Sequence, residues 1–378
     1  MKSIVLRSVG DNLITEPIYK AAKSDDIYDF RNQYDEVKSL IKEADIAVVN
    51  QETIMVSDRD QISSFPIFGT PYEIADALVD VGFDVAIQAT NHSLDKGFKG
   101  IVDDIEIWKK YEGQIEYAGI HSTVEDAERI RVIERNGIKV AILNYTTVLN
   151  GHHKPADKLY CVDTMSKKDM PRIKRQLEEA RKLADIVAVF PHWGVEYLYE
   201  PVAEQIMWAQ FLADNGADII IGAHPHVVQY TDNIKASDGR EVPCIYSLGN
   251  FISNHTTLAG IVLGAIAEVT IVRDDDGNVG IESYRLIPTV THGSGHYEAF
   301  RVYSLDKYSD ELCQSNCIIK TLEKTSGVTH DMAYLNAQFT DICERRALAN
   351  SIYKKPIDIK LANVRNVIKS LSKSRKKI

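Results

Sequence analysis

The segment 204-EQIMWAQFLADNGADIIIGAHPH-226 contains the pattern that decides the fold of this chain. Its first part has the apolar spacing of an amphipathic helix, and Gly216 is a typical residue for ending one. The run DIIIGA at 218–223 is short and rich in β-branched residues, as expected of a strand buried on both faces. His224 and His226 follow at once. The segment therefore predicts a helix, a buried strand and two imidazoles at the strand's carboxyl end.

The same order of helical stretch and apolar run recurs through the first 250 residues. The pairs are 34–44 with 45–52, 71–82 with 83–92, and 170–184 with 185–192, and a further apolar run begins the chain at 3–11. The polar residues at the ends of these runs are Asp11, Asn50, Glu52, Asn91, His92 and His192. Ligands of open α/β sheets bind beyond the carboxyl ends of the strands. We therefore predict an α/β fold in which these side chains converge on one crevice.

The later part of the chain has a different pattern. Segments 138–148 and 244–251 read as further strands, and 262–272 with 279–288 predicts an antiparallel hairpin around the turn residues DDDGN. From about residue 300 the sequence becomes polar and helical, and it ends in a basic tail. We expect one domain over residues 1–300 and a helical C-terminal extension over residues 301–378.

Composition excludes several classes of protein. Among 378 residues, 44 Lys and Arg against 54 Asp and Glu give a net charge of −10, which disfavours nucleic acid as a partner. An anionic substrate would need local positive charge such as a bound metal. No segment is apolar for the roughly 18 residues of a membrane helix, and the first residues do not read as a signal peptide. The sequence as given therefore predicts a cytoplasmic location.

Six strand-end side chains offer mixed oxygen and nitrogen donors. They are Asp11, Glu52, Asn91, His192, His224 and His226. Such a set suits manganese, iron or zinc, and it is large enough for two ions about 3.5–4 Å apart with a bridging carboxylate. We expect 224–226 to be extended, so that both imidazoles share a face. Next to Asn91, His92 is a candidate general acid, and Asp95 is placed to orient its ring.

A third group of residues is a candidate for binding substrate. Trp193, Glu196 and Tyr197 could line a groove, although core packing is an equal alternative for Trp193 and Tyr197. Asn250 and His255 are further candidates for the pocket. His152 and His153 lie in a long polar segment that either borders the pocket or is an ordinary loop.

The motifs that contain these residues resemble a known family. They are GD at 10–11, NQET at 50–53, ATNHSLDKG at 89–97, HWGVEY at 192–197, GAHPHVVQ at 222–229 and YSLGNF at 246–251. In this order they resemble the CapA-type poly-γ-glutamate capsule synthesis family, which is similar to the calcineurin-like metallophosphoesterases. Many members are anchored to a membrane outside the cytoplasm.

The resemblance implies a four-layer α/β/β/α sandwich with a dinuclear site. Asp11 and His226 would hold one ion, Asn91, His192 and His224 would hold the other, and Glu52 would bridge them. Standard phosphoesterases begin with an Asp-x-His pair, whereas this chain has GDNLI at 10–14, so the first ion lacks that histidine.

Three functions remain open at this point. The first is a metal-dependent hydrolase, with a phosphoester bond favoured and a place in capsule biosynthesis implied by the resemblance. The second is hydrolysis or transfer at a γ-glutamyl amide by the same site. The third is a non-catalytic assembly factor for the capsule polymer. Each one implies an anionic small-molecule or polymeric partner, either a phosphoester or polyglutamate.

Overall fold

Two large β-sheets packed face to face form the centre of this protein, whose computed structural model describes residues 2–256 and 260–343. The strands are β1 (Lys2–Asn12), β2 (Lys23–Ser24), β3 (Ile27–Tyr28), β4 (Ile46–Gln51), β5 (Met55–Val56), β6 (Thr70–Pro71), β7 (Val85–Ile87), β8 (Glu116–Ala118), β9 (Arg131–Arg135), β10 (Ile138–Thr146), β11 (Ile186–His192), β12 (Ile219–Ile221), β13 (Thr231–Lys235), β14 (Glu241–Ile245), β15 (Asn250–Ile252), β16 (Leu263–Arg273), β17 (Val279–Ser294) and β18 (Ala299–Ser304).

The helices of the described residues flank these sheets. They are α1 (Glu16–Ala21), α2 (Asp35–Lys42), α3 (Ile74–Val81), α4 (Gly97–Lys109), α5 (Val124–Glu128), α6 (Met170–Leu183), α7 (Ala203–Asp214), α8 (Asp310–Ser315), α9 (Cys317–Ser326) and α10 (Met332–Cys343). Within the described part of the chain, none is long and apolar enough to cross a bilayer.

The first sheet has the strand order β18-β17-β16-β1-β4-β7-β8, with β15 also paired to β1, and the second has the order β13-β14-β12-β11-β10-β9. Strands β1, β4, β7 and β8 run parallel, as do β10, β11, β12 and β14, whereas β16 and β17 are antiparallel. Parallel strands connected through helices place their carboxyl ends at one edge of each sheet.

Alternating side chains explain the four layers. In β4, Ile46 and Val48 pack between the two sheets, while Ala47 and Val49 pack against the helices that cover the first sheet. The second sheet repeats this arrangement, with alternate residues packing against α6 and α7. Both faces of the central strands are therefore buried, and the predicted α/β/β/α sandwich is confirmed.

One predicted strand was wrong. Segment 244–251 is two strands, because β14 ends at Ile245 in the second sheet and β15 begins at Asn250 in the first. The crossing includes Gly249 at φ +65°, a left-handed conformation that interrupts an extended strand. The predicted hairpin is present as β16 and β17, but residues 299–304 continue the sheet as β18 before the helices begin.

The C-terminal helices pack onto the first sheet. Buried residues of α8, α9 and α10, among them Cys313, Ile318 and Leu335, belong to the same core as α1, α2 and α3. The division of the chain at residue 300 stays a prediction. The basic tail that the sequence shows lies outside the described residues.

Asp104 of α4 connects the two segments that follow β4 and β7. Its buried Oδ2 accepts the backbone N–H of Met55 at 2.7 Å and Nε2 of Gln88 at 3.0 Å. Trp108 Nε1 in turn donates to Gln88 Oε1 at 2.6 Å. Burial raises the pKa of Asp104 to about 7. The protonated carboxyl is therefore the form that the folded protein favours.

We predict that Asp104→Asn changes how stability depends on pH. The pKa of Asp104 in the folded protein lies above the unfolded value of about 3.9. The contribution of Asp104 to the free energy of unfolding is therefore complete below the unfolded pKa and is lost as the pH rises through 7. The neutral amide keeps an oxygen acceptor and does not titrate. We expect the free energy of unfolding of Asp104→Asn, measured with urea and relative to the wild type, to rise by roughly 1–3 kcal/mol from pH 5 to pH 8.

The exposed Glu106→Gln on the same helix is the control, because it removes only a surface contact to Lys109. If the free energies of unfolding of Asp104→Asn and the wild type differ by the same amount at both pH values, the raised pKa of Asp104 is contradicted.

Candidate functional site

The site lies where the carboxyl ends of the parallel strands of both sheets meet. On the first sheet, Asp11 of β1 is paired in register with Asn50 of β4 on one side and with Asn250 of β15 on the other. His192 ends β11 of the second sheet, and its Nδ1 lies 3.4 Å from Asn50 Nδ2. The two sheets therefore contribute to one cluster, as the sequence predicts.

Asp11 is fixed by contacts from both sheets. Its Oδ1 accepts Asn50 Nδ2 at 2.7 Å and the backbone N–H of His224 at 3.2 Å, while its Oδ2 lies 3.0 Å from His226 Nδ1. The preceding Gly10 is required, because a Cβ there would lie 1.9 Å from the carbonyl oxygen of Gly249. This close approach explains why a glycine precedes Asp11 in the GD motif.

Glu52 is the central carboxylate of the cluster. It is buried, and neither of its oxygens has a hydrogen-bond partner within residues 2–256 and 260–343. Oε1 lies 3.9 Å from His192 Nε2 and 3.8 Å from His226 Nε2. Burial raises the pKa of Glu52 well above its usual value; the charge of Asp11 adds to this rise, and that of His226 opposes it. A cation between these groups would favour the ionised carboxylate.

The donor atoms form two groups that share Glu52. One group contains Glu52, His192 and His224, and the other contains Asp11, Glu52 and His226, with the donor atoms of each group within 4.8 Å of one another. Asn91 joins the first group, since its Oδ1 lies 2.9 Å from His192 Nε2. Carboxylate, amide and imidazole donors suit a divalent metal ion.

Electrostatics distinguish the histidines. Burial lowers the pKa of His224 to about 3 and that of His192 well below the usual value, which keeps both rings neutral, the form that binds metal. Burial opposes charge on His226 as well, but Glu52 and Asp11 raise its pKa to about 10. Without a metal ion, His226 thus supplies the positive charge that these carboxylates attract, and a bound metal ion would take the place of its proton.

The expected extended conformation of 224–226 is wrong. His224 has φ +99° and His226 has φ +61°, so the segment is bent rather than extended. Left-handed backbone at two histidines is strained and persists only when the surroundings hold it. Both rings still reach the cluster, with centroids 6.1 Å apart.

His92 and Asp95 form a pair beside the metal-ligand groups. His92 Nδ1 lies 2.7 Å from Asp95 Oδ2, and the same oxygen accepts the backbone N–H of Phe68 at 2.6 Å. The ring of Phe68 packs edge-on against His92 with centroids 4.6 Å apart. Asp95 therefore fixes the ring by its Nδ1 and leaves Nε2 on the opposite side.

The five substrate-binding candidates occupy different surroundings. Trp193 is fully buried, donates from Nε1 to the carbonyl of Tyr246 at 2.9 Å and packs in the core of the second sheet, so the core alternative describes it. Tyr197 is partly buried, with its ring centroid 5.9 Å from those of both His226 and His255. The charge of partly buried Glu196 raises the pKa of Glu52.

Asn250 and His255 lie beside His226. Asn250 Oδ1 is 3.0 Å from His226 Nδ1, and the ring of His255 packs edge-on against His226 with centroids 4.8 Å apart. His255 Nδ1 is buried without a hydrogen-bond partner in the described part of the chain. Burial lowers the pKa of His255 well below its usual value.

Three further residues lie in this region: Asn50, Asn150 and His152. The sequence places Asn50 at the end of an apolar run. Its contact with Asp11 depends on the register of β1 and β4, which the sequence does not indicate. His152 Nε2 lies 3.6 Å from Asp95 Oδ1, and Asn150 Nδ2 lies 3.5 Å from His92 Nδ1. The segment after β10 therefore lies beside His92, which agrees with the first of the two alternatives that the sequence left open for His152 and His153.

Sequence comparison finds relatives with named roles. The chain is 34% identical over 185 residues to the capsule biosynthesis protein CapA of Bacillus anthracis, covering 48% of this chain and 42% of the relative. It is 35% identical over 183 residues to the PGA biosynthesis protein CapA of Bacillus subtilis, covering 48% and 46%. The match thus spans less than half the length of these curated relatives.

Among solved structures, the NAD nucleotidase of Haemophilus influenzae aligns with 91% of this chain and 68% of that chain, at 12% identity and a TM-score of 0.46, a similarity too weak to carry an argument. The family match is more extensive. Residues 5–255 match the family described as bacterial capsule synthesis protein PGA_cap, and they include every residue of the cluster described above. The chain therefore belongs to the PGA_cap family of bacterial capsule synthesis proteins.

Proposed function

We propose that this chain is a hydrolase that uses two divalent ions, manganese, iron or zinc, and cleaves a phosphoester bond in capsule biosynthesis. The observation that carries the proposal is Glu52, whose two buried oxygens lack hydrogen-bond partners in the described residues and lie between two groups of donors. An isolated buried carboxylate is costly to ionise. A divalent ion on each side would offset that cost.

Each ion has its own ligands in this proposal. Asp11 and His226 would hold one ion, and Asn91, His192 and His224 would hold the other. Glu52 would contribute to both, since its carboxylate belongs to both groups of donor atoms. The neutral state of His192 and His224 further supports their role as ligands.

The ions, when bound, supply Lewis acidity towards the substrate oxygens and acidify a water molecule. The chain's own residues do the rest. His92 donates a proton from Nε2 to the leaving oxygen, and Asp95 holds the ring through Nδ1. Tyr197, Glu196 and His255 line the side of the cluster next to His226 and contact the substrate there.

Two other functions use the same residues. In the first, the substrate is a γ-glutamyl amide, and His92 would protonate the leaving nitrogen. The roles of the CapA relatives in capsule and PGA biosynthesis favour a substrate related to that polymer. In the second, the site binds the polymer without turnover. The cytoplasmic location expected from the sequence stays a prediction.

We predict that Glu52→Gln has opposite effects on the metal-free and metal-bound proteins. Without metal, the amide removes a buried carboxylate and should raise the melting temperature. With manganese at 100 times Kd, the free energy of unfolding of the wild type should rise by about 2.7 kcal/mol for each occupied site, whereas that of the variant should rise little because the shared ligand is lost. Thermal melts with chelator and with added manganese measure both effects.

The matched control is Glu73→Gln, which neutralises another buried carboxylate but removes an ion pair with Arg59. Glu73→Gln should lower the metal-free melting temperature and keep the manganese response. A wild type that gains no stability from manganese, iron or zinc would contradict the metal site.

We predict that His92→Ala loses turnover without losing metal. A panel of a phosphomonoester, a phosphodiester and a γ-glutamyl peptide, assayed with manganese, first identifies the bond that is cleaved. On that substrate, kcat should fall about 10²–10⁴-fold, because the leaving group is no longer protonated. The loss should be smaller when the leaving group is a good one, such as p-nitrophenolate.

His296→Ala, in the exposed turn after β17, is the control and should keep wild-type kcat. An unchanged kcat for His92→Ala would refute its role as the acid. No turnover of any substrate by the metal-loaded wild type would favour the assembly function instead.

A further inference from the structure

The two donor groups differ in size. Glu52, His192, His224 and Asn91 surround one position, whereas the other position has Asp11, Glu52 and His226. Position 13, two residues after Asp11, is a buried leucine and offers no donor atom. We propose that Asn250 completes the second group, with its Oδ1 as a metal ligand. This inference rests on the proposed metal site and gives Asn250 a role other than substrate binding.

Strand register brings Asn250 to this position. β15 runs parallel to β1, and Asn250 is the register partner of Asp11. Paired residues on neighbouring strands project their side chains to the same face of a sheet. Asn250 therefore accompanies Asp11 to the same edge of the first sheet, and it is buried there.

Hydrogen bonds fix which end of the Asn250 amide faces the cluster. Nδ2 donates to the backbone carbonyls of His226 at 3.2 Å and Ile261 at 3.3 Å. The reversed amide would place its oxygen against these two carbonyl oxygens, which is unfavourable, so the network decides the orientation. Oδ1 is consequently directed towards His226 and Asp11, as a ligand oxygen must be.

The distances fit the edges of a coordination shell. His226 Nδ1 lies 3.0 Å from Asp11 Oδ2 and 3.0 Å from Asn250 Oδ1. In octahedral coordination, two neighbouring ligand atoms that each lie about 2.1 Å from the ion are about 3.0 Å from one another. In this inference Nδ1 is the ligand atom of His226. One Nδ1–H can serve these two acceptors only as a shared hydrogen bond, whereas a cation would satisfy all three atoms together.

His255 is the competing candidate, but its geometry is less suitable. Its ring packs edge-on against His226, with an angle of 79° between the ring planes. Neither ring nitrogen of His255 is hydrogen-bonded to Asp11 or to His226 within the described residues, whereas Asn250 Oδ1 contacts His226 Nδ1 directly. We therefore assign it to the pocket wall and use it as the matched control.

The experiment counts metal ions per chain. Wild type, Asn250→Ala and His255→Ala are loaded with manganese, dialysed and analysed for metal content, and the binding isotherms are measured by calorimetry. We expect two ions for the wild type and His255→Ala, and one for Asn250→Ala. Two tightly bound ions in Asn250→Ala would overturn the inference and leave the proposed function standing. No bound ion in the wild type would refute the proposed function itself.

A second measurement applies if Asn250→Ala does not fold. Anomalous diffraction from manganese-loaded wild-type crystals locates both ions directly. Asn250 Oδ1 should lie about 2.0–2.6 Å from the ion that Asp11 binds. An oxygen that remains hydrogen-bonded to His226 and stays outside the coordination shell would overturn the inference.

Discussion

A buried carboxylate without hydrogen-bond partners among the described residues is the constraint on which this site depends. Glu52 follows β4, where both its oxygens are removed from water and Oε1 lies 3.8 Å and 3.9 Å from two histidine nitrogens. In the folded chain alone, burial pushes Glu52 towards its protonated form. In the proposed site, metal ions on either side would reverse this preference and offset the buried negative charge.

The fold provides the geometry that this balance needs. Two sheets pack through one inter-sheet core and direct the carboxyl ends of their parallel strands to the same edge. The first sheet supplies Asp11, Asn250 and the segment with Glu52, while the second supplies His192 and the bend at 224–226. Neither sheet alone contains a complete set of ligands. Metal binding would therefore stabilise the packing of one sheet on the other.

Much of this arrangement could be predicted from the sequence, because its signals are local. A short β-branched run followed by a polar residue identifies both the strand and its carboxyl end, as at Glu52 and His192. The features that could not be predicted depend on long-range geometry. Trp193 lies in the core because the backbone at Gly222 leaves room for its indole, and the left-handed bend at 224–226 is held by tertiary contacts. The pairing of Asp11 with Asn250 joins residues far apart in the chain and has no local signal.

Electron paramagnetic resonance of the manganese-loaded protein tests the central claim most directly. Two ions that share the carboxylate of Glu52 are magnetically coupled, so the spectrum at full loading should show the broad, multiline signal of a coupled pair. The simple six-line spectrum of isolated manganese at full loading, or no bound manganese at all, would contradict the account.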